Sequence, residues 1–274
     1  MMGTLKFLSQ FQKNTPINEL LLILSKVTGK STTALLIKDE LVLTKSELKA
    51  FKDNISKLES GMPLAYVLGE CGFYDHLFYV NPYVLIPRPE TEQIIDLILA
   101  KWPDLTQKLS ILDIGTGSGI IPITLALKYP SAICYATDIS EKALEVAKLN
   151  SIRHAVEDRI ELIQSDLVPN HFDSAQFSLI TANLPYIPYQ DCQGLEVIKN
   201  EPSIALIGGE NGDELIKRFL GQVIDYSIGF DLMLLEIEYR QGNGIFDFCK
   251  TLFPDRMITL YKDLGGLDRI IAVQ

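Results

Sequence analysis

This chain has few groups with which to hold a metal or form a disulfide. It contains 3 His and 4 Cys. His76, His154 and His171 are isolated in sequence and show no ligand spacing, so no metal site is expected. Cys71, Cys134, Cys192 and Cys249 form no Cys-x-x-Cys pair, and a reduced, cytosolic protein is the simplest expectation. The chain also lacks an apolar run of about eighteen residues, so no membrane span is expected. Residues Met1 to Asn14 lack a sustained apolar core and a cleavage-type ending, which argues against a signal peptide. Positive charge is in deficit: 25 Lys and Arg face 35 Asp and Glu, a net −10. Phosphate backbones are bound through Lys and Arg, so non-specific nucleic-acid binding is disfavoured. An acidic surface suits a basic protein partner, although such a balance also serves solubility alone. Internal repeats and low-complexity segments are absent too. What is abundant is apolar side chain, 47% of 274 residues, enough for one large core or two smaller ones.

The first sixty residues lack strand alternation. Leu20, Leu21, Ile23, Leu24 and Val27 recur at helical spacing, with Gly29 as a stop. Ser31-Thr32-Thr33 offers a cap for a next helix. Thr44-Lys45-Ser46-Glu47 reads as a capping box opening a helix to about Leu58. Phe73, Tyr74, Phe78, Tyr79, Val80 and Val84 then favour strands, with Asn81-Pro82 marking a turn, which predicts a hairpin. A helix follows from Pro89 to Lys101. From Leu109 strands (109–114, 132–137, 159–164, 177–182, 230–237, 256–261, 268–273) alternate with helices (118–128, 140–153, 212–227, 240–252). This predicts an α/β fold with a mostly parallel sheet covered on both faces. The last two strands have only a short connection and should pair antiparallel. The resulting division is a helical domain over 1–69, a β-hairpin linker over 70–88 and an α/β domain over 89–274.

Two loops at strand ends carry the chemistry. The first, Gly115-Thr116-Gly117-Ser118-Gly119, joins a strand to a helix, where glycines allow a ligand close to the backbone. Ile120 occupies the position where a dinucleotide fingerprint would have its third glycine, which weakens a redox reading. Asp138 ends the next strand and is expected to accept both ribose hydroxyls of an adenosine; the plainer alternative is an acid at the helix start before Ser140. Asp166 follows the third strand and could accept an adenine amino hydrogen, or simply belong to a turn. Leu167 could cover the adenine face.

The second loop is Asn183-Leu184-Pro185-Tyr186. An amide or adenine amino nitrogen is planar, with a delocalised lone pair, and is a poor nucleophile. Two fixed acceptors on its N–H groups would favour pyramidalisation as a new bond forms. The Asn183 side-chain oxygen and the Leu184 carbonyl could supply them, with Pro185 holding Leu184 extended. Tyr186 could stack on the flat group. Such a site works by positioning and preorganised electrostatics, with no metal and no covalent intermediate. In isolation the four residues could also be a strand-ending turn.

Around these loops the sequence resembles the release factor glutamine methyltransferases (the PrmC/HemK family) from about residue 60 onwards. The resemblance rests on the Gly61–Gly69 segment, Ile86-Pro87-Arg88-Pro89-Glu90-Thr91-Glu92, Glu201-Pro202, Ala205-Leu206 and Gly208–Gly212. Leu235-Glu236-Ile237, Gln241, Asp263 and Asp268-Arg269 complete it. It implies a seven-stranded S-adenosylmethionine-dependent methyltransferase sheet with its last strand antiparallel. It also implies transfer from S-adenosylmethionine to the side-chain amide nitrogen of the glutamine in the Gly-Gly-Gln loop of peptide chain release factors. Gly115, Thr116, Gly117, Ser118, Gly119, Asp138, Asp166, Leu167 and Asn183 are then expected at the cofactor. Asn183, Leu184, Pro185 and Tyr186 are expected at the substrate, with Asn183, Pro185 and Tyr186 catalytic. The helical domain would bind the release factor. A cytoplasmic monomer with no direct nucleic-acid contact is expected.

Two departures stand out. The second loop position is more usually Pro, and position 167 is often aromatic. Asn-Leu-Pro-Tyr is also typical of ribosomal RNA adenine dimethyltransferases, which lack the Pro-Arg-Pro-Glu-Thr-Glu element and are usually basic. An adenine-amino methyltransferase is therefore the alternative enzyme. A non-catalytic module on the same fold would be expected to lose Asp138 or Asn183. Arg88, Glu90 and Glu92 are expected to build a wall or lid, with Arg88 in a local salt bridge.

Overall fold

The computed structural model describes residues 3–12, 15–37, 40–192, 194 and 196–274. Met1, Met2, Lys13 and Asn14, which belong to the start judged above not to be a signal peptide, lie outside the described residues. The chain forms two compact units, Met1–Glu70 and Cys71–Gln274.

The first unit is helical: α1 (Thr4–Leu8), α2 (Ile17–Thr28), α3 (Thr32–Ile37), α4 (Lys45–Glu59) and α5 (Leu64–Leu68). Leu20, Ile23 and Leu24 bury one face of α2 against Leu8, Leu35, Phe51, Ile55 and Val67. Helix α2 stops where Gly29 turns left-handed, at φ 65°. Ser31 Oγ accepts from Ala34 N at 3.1 Å, capping α3. The capping box forms: Thr44 Oγ1 accepts from Glu47 N at 3.2 Å while Glu47 Oε2 accepts from Thr44 N at 2.7 Å.

The division between the units falls within β1 (Glu70–Phe73), which pairs with β2 (His76–Tyr79). Their turn is at Tyr74 and Asp75, with φ of 45° and 67°, and not at Asn81-Pro82. Tyr74 is thus a turn residue. Asn81 makes a separate turn, its carbonyl accepting from Val84 N at 3.1 Å, and Val80 and Val84 are buried outside any strand.

The elements that follow are α6 (Glu92–Lys101), β3 (Ser110–Ile114), α7 (Ile120–Lys128), β4 (Ile133–Asp138), α8 (Glu141–Arg153), β5 (Ile160–Gln164) and β6 (Gln176–Ala182). Then come β7 (Ile187–Pro188), α9 (Glu196–Asn200), β8 (Ile207–Gly209), α10 (Glu214–Asp225), β9 (Gly229–Glu236), α11 (Gly242–Leu252), β10 (Ile258–Lys262) and β11 (Asp268–Val273). Seven strands make one sheet in the order β10-β11-β9-β6-β3-β4-β5. Strand β11 runs antiparallel to both its neighbours, and the other pairings are parallel. The last strand is thus reversed, as its short connection requires, but it sits inside the sheet with β10 at the edge.

Successive residues on each central strand face opposite cores. Ile111, Leu179, Leu232 and Ile270 join one cluster with α6 and α7. Leu112, Ile180, Met233 and Ile271 join the other with α10 and α11. Strand order reverses between β3 and β6, and ligands of such sheets bind at that crevice beyond the strand ends. The short pair β7–β8 and helix α9 have no counterpart in the sequence-based expectation.

Candidate active site

The glycine turn leaves the end of β3 and is fastened to the end of β4. Gly115 N and Thr116 N both donate to Thr137 O at 2.9 Å. Gly117 N donates to Asp138 Oδ2 and Ser140 N to Asp138 Oδ1, each at 2.9 Å. Asp138 thus stands just ahead of the helix start, whose N-cap is Ser140, and each of its oxygens keeps further acceptor capacity. Burial raises its pKa, and the N–H groups of Ser140, Gly117 and Ile139 pull it back. Gly119 is left-handed at φ 80°, and a Cβ there would meet Ile123 Cδ1 at 2.9 Å and Ala147 Cβ at 3.2 Å. A side chain there would press on α7 and α8, and Gly119 is not among the residues lining the cavity described below.

Beneath the turn, Thr181 Oγ1 donates to the buried Asp113 carboxyl at 2.6 Å, across the β3–β6 pairing. Burial pushes the Asp113 pKa up to about 7, opposed by the Thr181 and Thr116 hydroxyls.

The Asn183–Tyr186 loop leaves β6 beside this turn. Leu184 is 4% exposed and belongs to the core, and a Cβ on Gly115 would stand 3.0 Å from Leu184 Cδ2. The loop backbone is clamped from the far side. A Cβ on Gly208 would collide with the carbonyls of Pro185 and Gly212, and one on Gly212 with the Tyr186 carbonyl. Ile187 N donates to Leu206 O at 2.9 Å, and Gln241 Nε2 donates to Tyr186 O at 3.0 Å.

Side chains complete the support. Asn183 Nδ2 donates to Thr91 Oγ1 at 3.2 Å, and Thr91 Oγ1 donates to Glu236 Oε2 at 2.8 Å. Thr91 and Glu236 are each 1% exposed. The Tyr186 hydroxyl points at Glu236 Oε1 from 3.5 Å. Burial pushes the Glu236 pKa up to about 7, opposed by the Thr91 hydroxyl and Arg269. Burial and Glu236 raise that of Tyr186. The Arg88 partner is Glu201, 113 residues away, at 2.5 Å, so the local pairing expected for Arg88 does not form. Glu201 also accepts from Ile86 N at 2.9 Å, which fixes the wall segment before Arg88.

A cavity of about 260 Å³ opens at this crevice. Gly115, Thr116, Gly117, Ser118, Asp138, Asp166, Leu167, Asn183, Leu184 and Pro185 all line it. A smaller cavity of about 130 Å³ shares Asn183, Leu184 and Pro185 and adds Tyr186. The structure thus brings together the expected site residues except Gly119. Asp166 is engaged by Arg218 at 2.5 Å. Arg218, Ile139 and Leu215 also line the larger cavity without having been singled out beforehand. The sequence assigns no individual role to Thr91, Glu236 or Gln241, which enter only through the family resemblance. A Thr inside an acidic run and an acid ending an apolar run carry no signal of meeting 145 residues apart.

This donor set fits an adenosyl sulfonium. Asp138 and Asp166 offer carboxylate oxygens for hydroxyl and amino hydrogens, Ile139, Leu167 and Leu215 offer apolar surface, and the glycine turn leaves its backbone open. Among the described residues no cluster of His, Cys, Asp or Glu could hold a metal ion, and no helix is long and apolar enough to cross a membrane.

Comparison with known proteins agrees with the geometry. Residues 4–69 match the PrmC N-terminal domain and residues 95–198 the methyltransferase small domain. The N-terminal domain of human METTL16, solved in complex with SAH, shares the fold: TM-score 0.54, 18% identity, 82% of this chain and 83% of that one. The release factor glutamine methyltransferase of Lactococcus lactis is 35% identical over 235 residues, 85% of this chain and 84% of that protein. The release factor glutamine methyltransferase of Bacillus cereus is 34% identical over 260 residues, 92% of this chain and 90% of that protein. An N-terminal helical unit, a seven-stranded sheet with one reversed strand and likeness along nearly the whole length converge, and the chain belongs to the release factor glutamine methyltransferase family.

Proposed function

We propose that this protein methylates the side-chain amide nitrogen of the glutamine in the Gly-Gly-Gln loop of peptide chain release factors, using S-adenosylmethionine. The observation that carries the proposal is that Asn183, Leu184 and Pro185 line both cavities, the larger suited to the donor and the smaller to the acceptor side chain. Bound S-adenosylmethionine supplies an electrophilic methyl on a sulfonium. Gly115 to Ser118 and Asp138 would hold its methionyl and ribose parts, and Asp166 and Leu167 its adenine. Asn183 Oδ1 and the Leu184 carbonyl accept the two amide hydrogens of the glutamine and draw its lone pair out of conjugation. Tyr186 lines the acceptor cavity with its hydroxyl turned towards Glu236, so its ring is the part available to the flat amide. The nitrogen proton leaves to water after transfer. Pro185 and the glycines behind it keep the Leu184 carbonyl from turning away.

Leu184 had tilted the loop towards adenine chemistry. Its side chain packs into the core over Gly115, which supports reading this departure as a packing change that leaves the carbonyl for a glutamine. Residues 1–69 serve as the release-factor-binding domain, 70–88 as linker and 89–274 as the methyltransferase domain. The enzyme works as a cytoplasmic monomer and does not contact nucleic acid directly. Labelled S-adenosylmethionine, a release factor and its loop Gln→Ala variant test the assignment. Transfer to the parent alone is expected, and equal transfer to both would sink it.

A further inference from the structure

The wall element before α6 was expected to stay out of the chemistry. One of its residues touches the residue that grips the acceptor. Thr91 sits between Asn183 Nδ2, at 3.2 Å, and Glu236 Oε2, at 2.8 Å. The three residues come from the 3-10 turn before α6, the end of β6 and the end of β9.

We propose that Thr91 and Glu236 are positioning residues that fix which way the Asn183 carboxamide faces. The proposal rests on the glutamine-methylation assignment and says how its acceptor grip is set.

A carboxamide is nearly symmetrical in shape, and its oxygen and nitrogen ends can exchange by a flip about the last side-chain bond. Only one orientation offers an acceptor to the substrate N–H. The other offers a donor, which would repel it. A threonine hydroxyl has a single proton. Glu236 Oε2 takes that proton, so Thr91 has only lone pairs left for Asn183. The carboxamide must then turn its NH₂ towards Thr91, and Oδ1 remains for the acceptor. Without the Glu236 acceptor, Thr91 could donate to Asn183 Oδ1 and stabilise the flipped form equally well. Burial sharpens the choice, because Thr91 and Glu236 are each 1% exposed and a wrongly paired polar atom there would have no water to turn to. Arg269 and the Tyr186 hydroxyl, which faces the second oxygen, favour the accepting form of Glu236, against burial and the charge of Glu90.

Two measurements test the relay. In ¹⁵N-labelled protein without substrate, the Asn183 carboxamide signal is identified by its loss in Asn183→Ala. Its protons should exchange slowly with solvent in the parent and in Thr91→Ser, and at least about tenfold faster in Thr91→Val, which keeps the shape and loses the hydroxyl. Unchanged exchange in Thr91→Val overturns the proposal whatever the acceptor proves to be. In turnover, Thr91→Val should lower kcat by about tenfold or more with SAH affinity retained, and Thr91→Ser should restore most of the rate. The double variant Thr91→Val/Asn183→Ala should be no slower than Asn183→Ala alone, since Thr91 acts only through Asn183. Additive losses would overturn the relay. A parent enzyme with a protected carboxamide but no transfer to release factor would instead refute the glutamine assignment and leave the relay standing.

Discussion

Asn183 is partly exposed, while Leu184 beside it is buried in the core, so in the proposed grip Asn183 would contribute chemistry more than packing. Asn183→Ala should therefore cut kcat by at least about a hundredfold, as loss of a preorganised polar contact does, while the melting temperature changes little. Near-normal turnover would refute the grip. Asp113 makes the opposite kind of contribution. Its carboxyl is lifted from an ordinary 3.8 to about 7 by burial. The folded protein therefore keeps a proton that the unfolded chain releases. This stabilising contribution is complete below the unfolded pKa and is lost as pH rises through about 7. Asp113→Asn removes the titration and leaves an acceptor for Thr181. Its melting temperature should gain on the parent's as pH rises from about 5 to about 8, and a constant difference would show that Asp113 does not titrate there. The residues lining the cavity were legible because strand ends followed by glycine or Asn-x-Pro-Tyr mark where a parallel sheet opens. The contacts of Thr91 and Glu236 were not, because they exist only once the turn before α6 meets the ends of β6 and β9.

The Asn183–Tyr186 loop is held closely at its backbone, and Gly208 and Gly212 leave room for that approach. Gly208→Ala would drive a methyl group into the carbonyls of Pro185 and Gly212. A loss of about tenfold or more in kcat is expected, together with a lower melting temperature, because the Pro185 carbonyl and Tyr186 backbone must move. Unaltered kinetics would mean that β8 is free to retreat. The long strands were predictable because β3, β6 and β9 are buried on both faces and read as apolar runs. Strands β7 and β8, of two and three residues, are too short to show any periodicity. The hairpin turn was misplaced because Tyr74 and Asp75 take positive φ without a glycine to announce it.

The cavity residues all belong to the second compact unit, whereas Phe51 lies in the core of the first. Phe51→Ala should cost the helical unit about 3–5 kcal/mol. Calorimetry should register that loss while titration shows SAH affinity unchanged; a parallel fall in SAH affinity would contradict the independence of the donor site. The net charge of −10 acts on the whole molecule. If the acceptor presents a basic face, kcat/KM for release factor should fall as salt is raised from low ionic strength, with SAH affinity much less affected. A flat salt profile would assign the acidity to solubility. The clamp on the Asn183–Tyr186 loop has a further consequence for the protein's own synthesis. Gly208, Gly212, Glu236 and Gln241 all follow the loop in the chain. A nascent polypeptide that has already emerged through Tyr186 holds the donor turn and the gripping residues but none of these later supports. If the proposed grip holds, a chain released early at Tyr186 is therefore expected to transfer no methyl group.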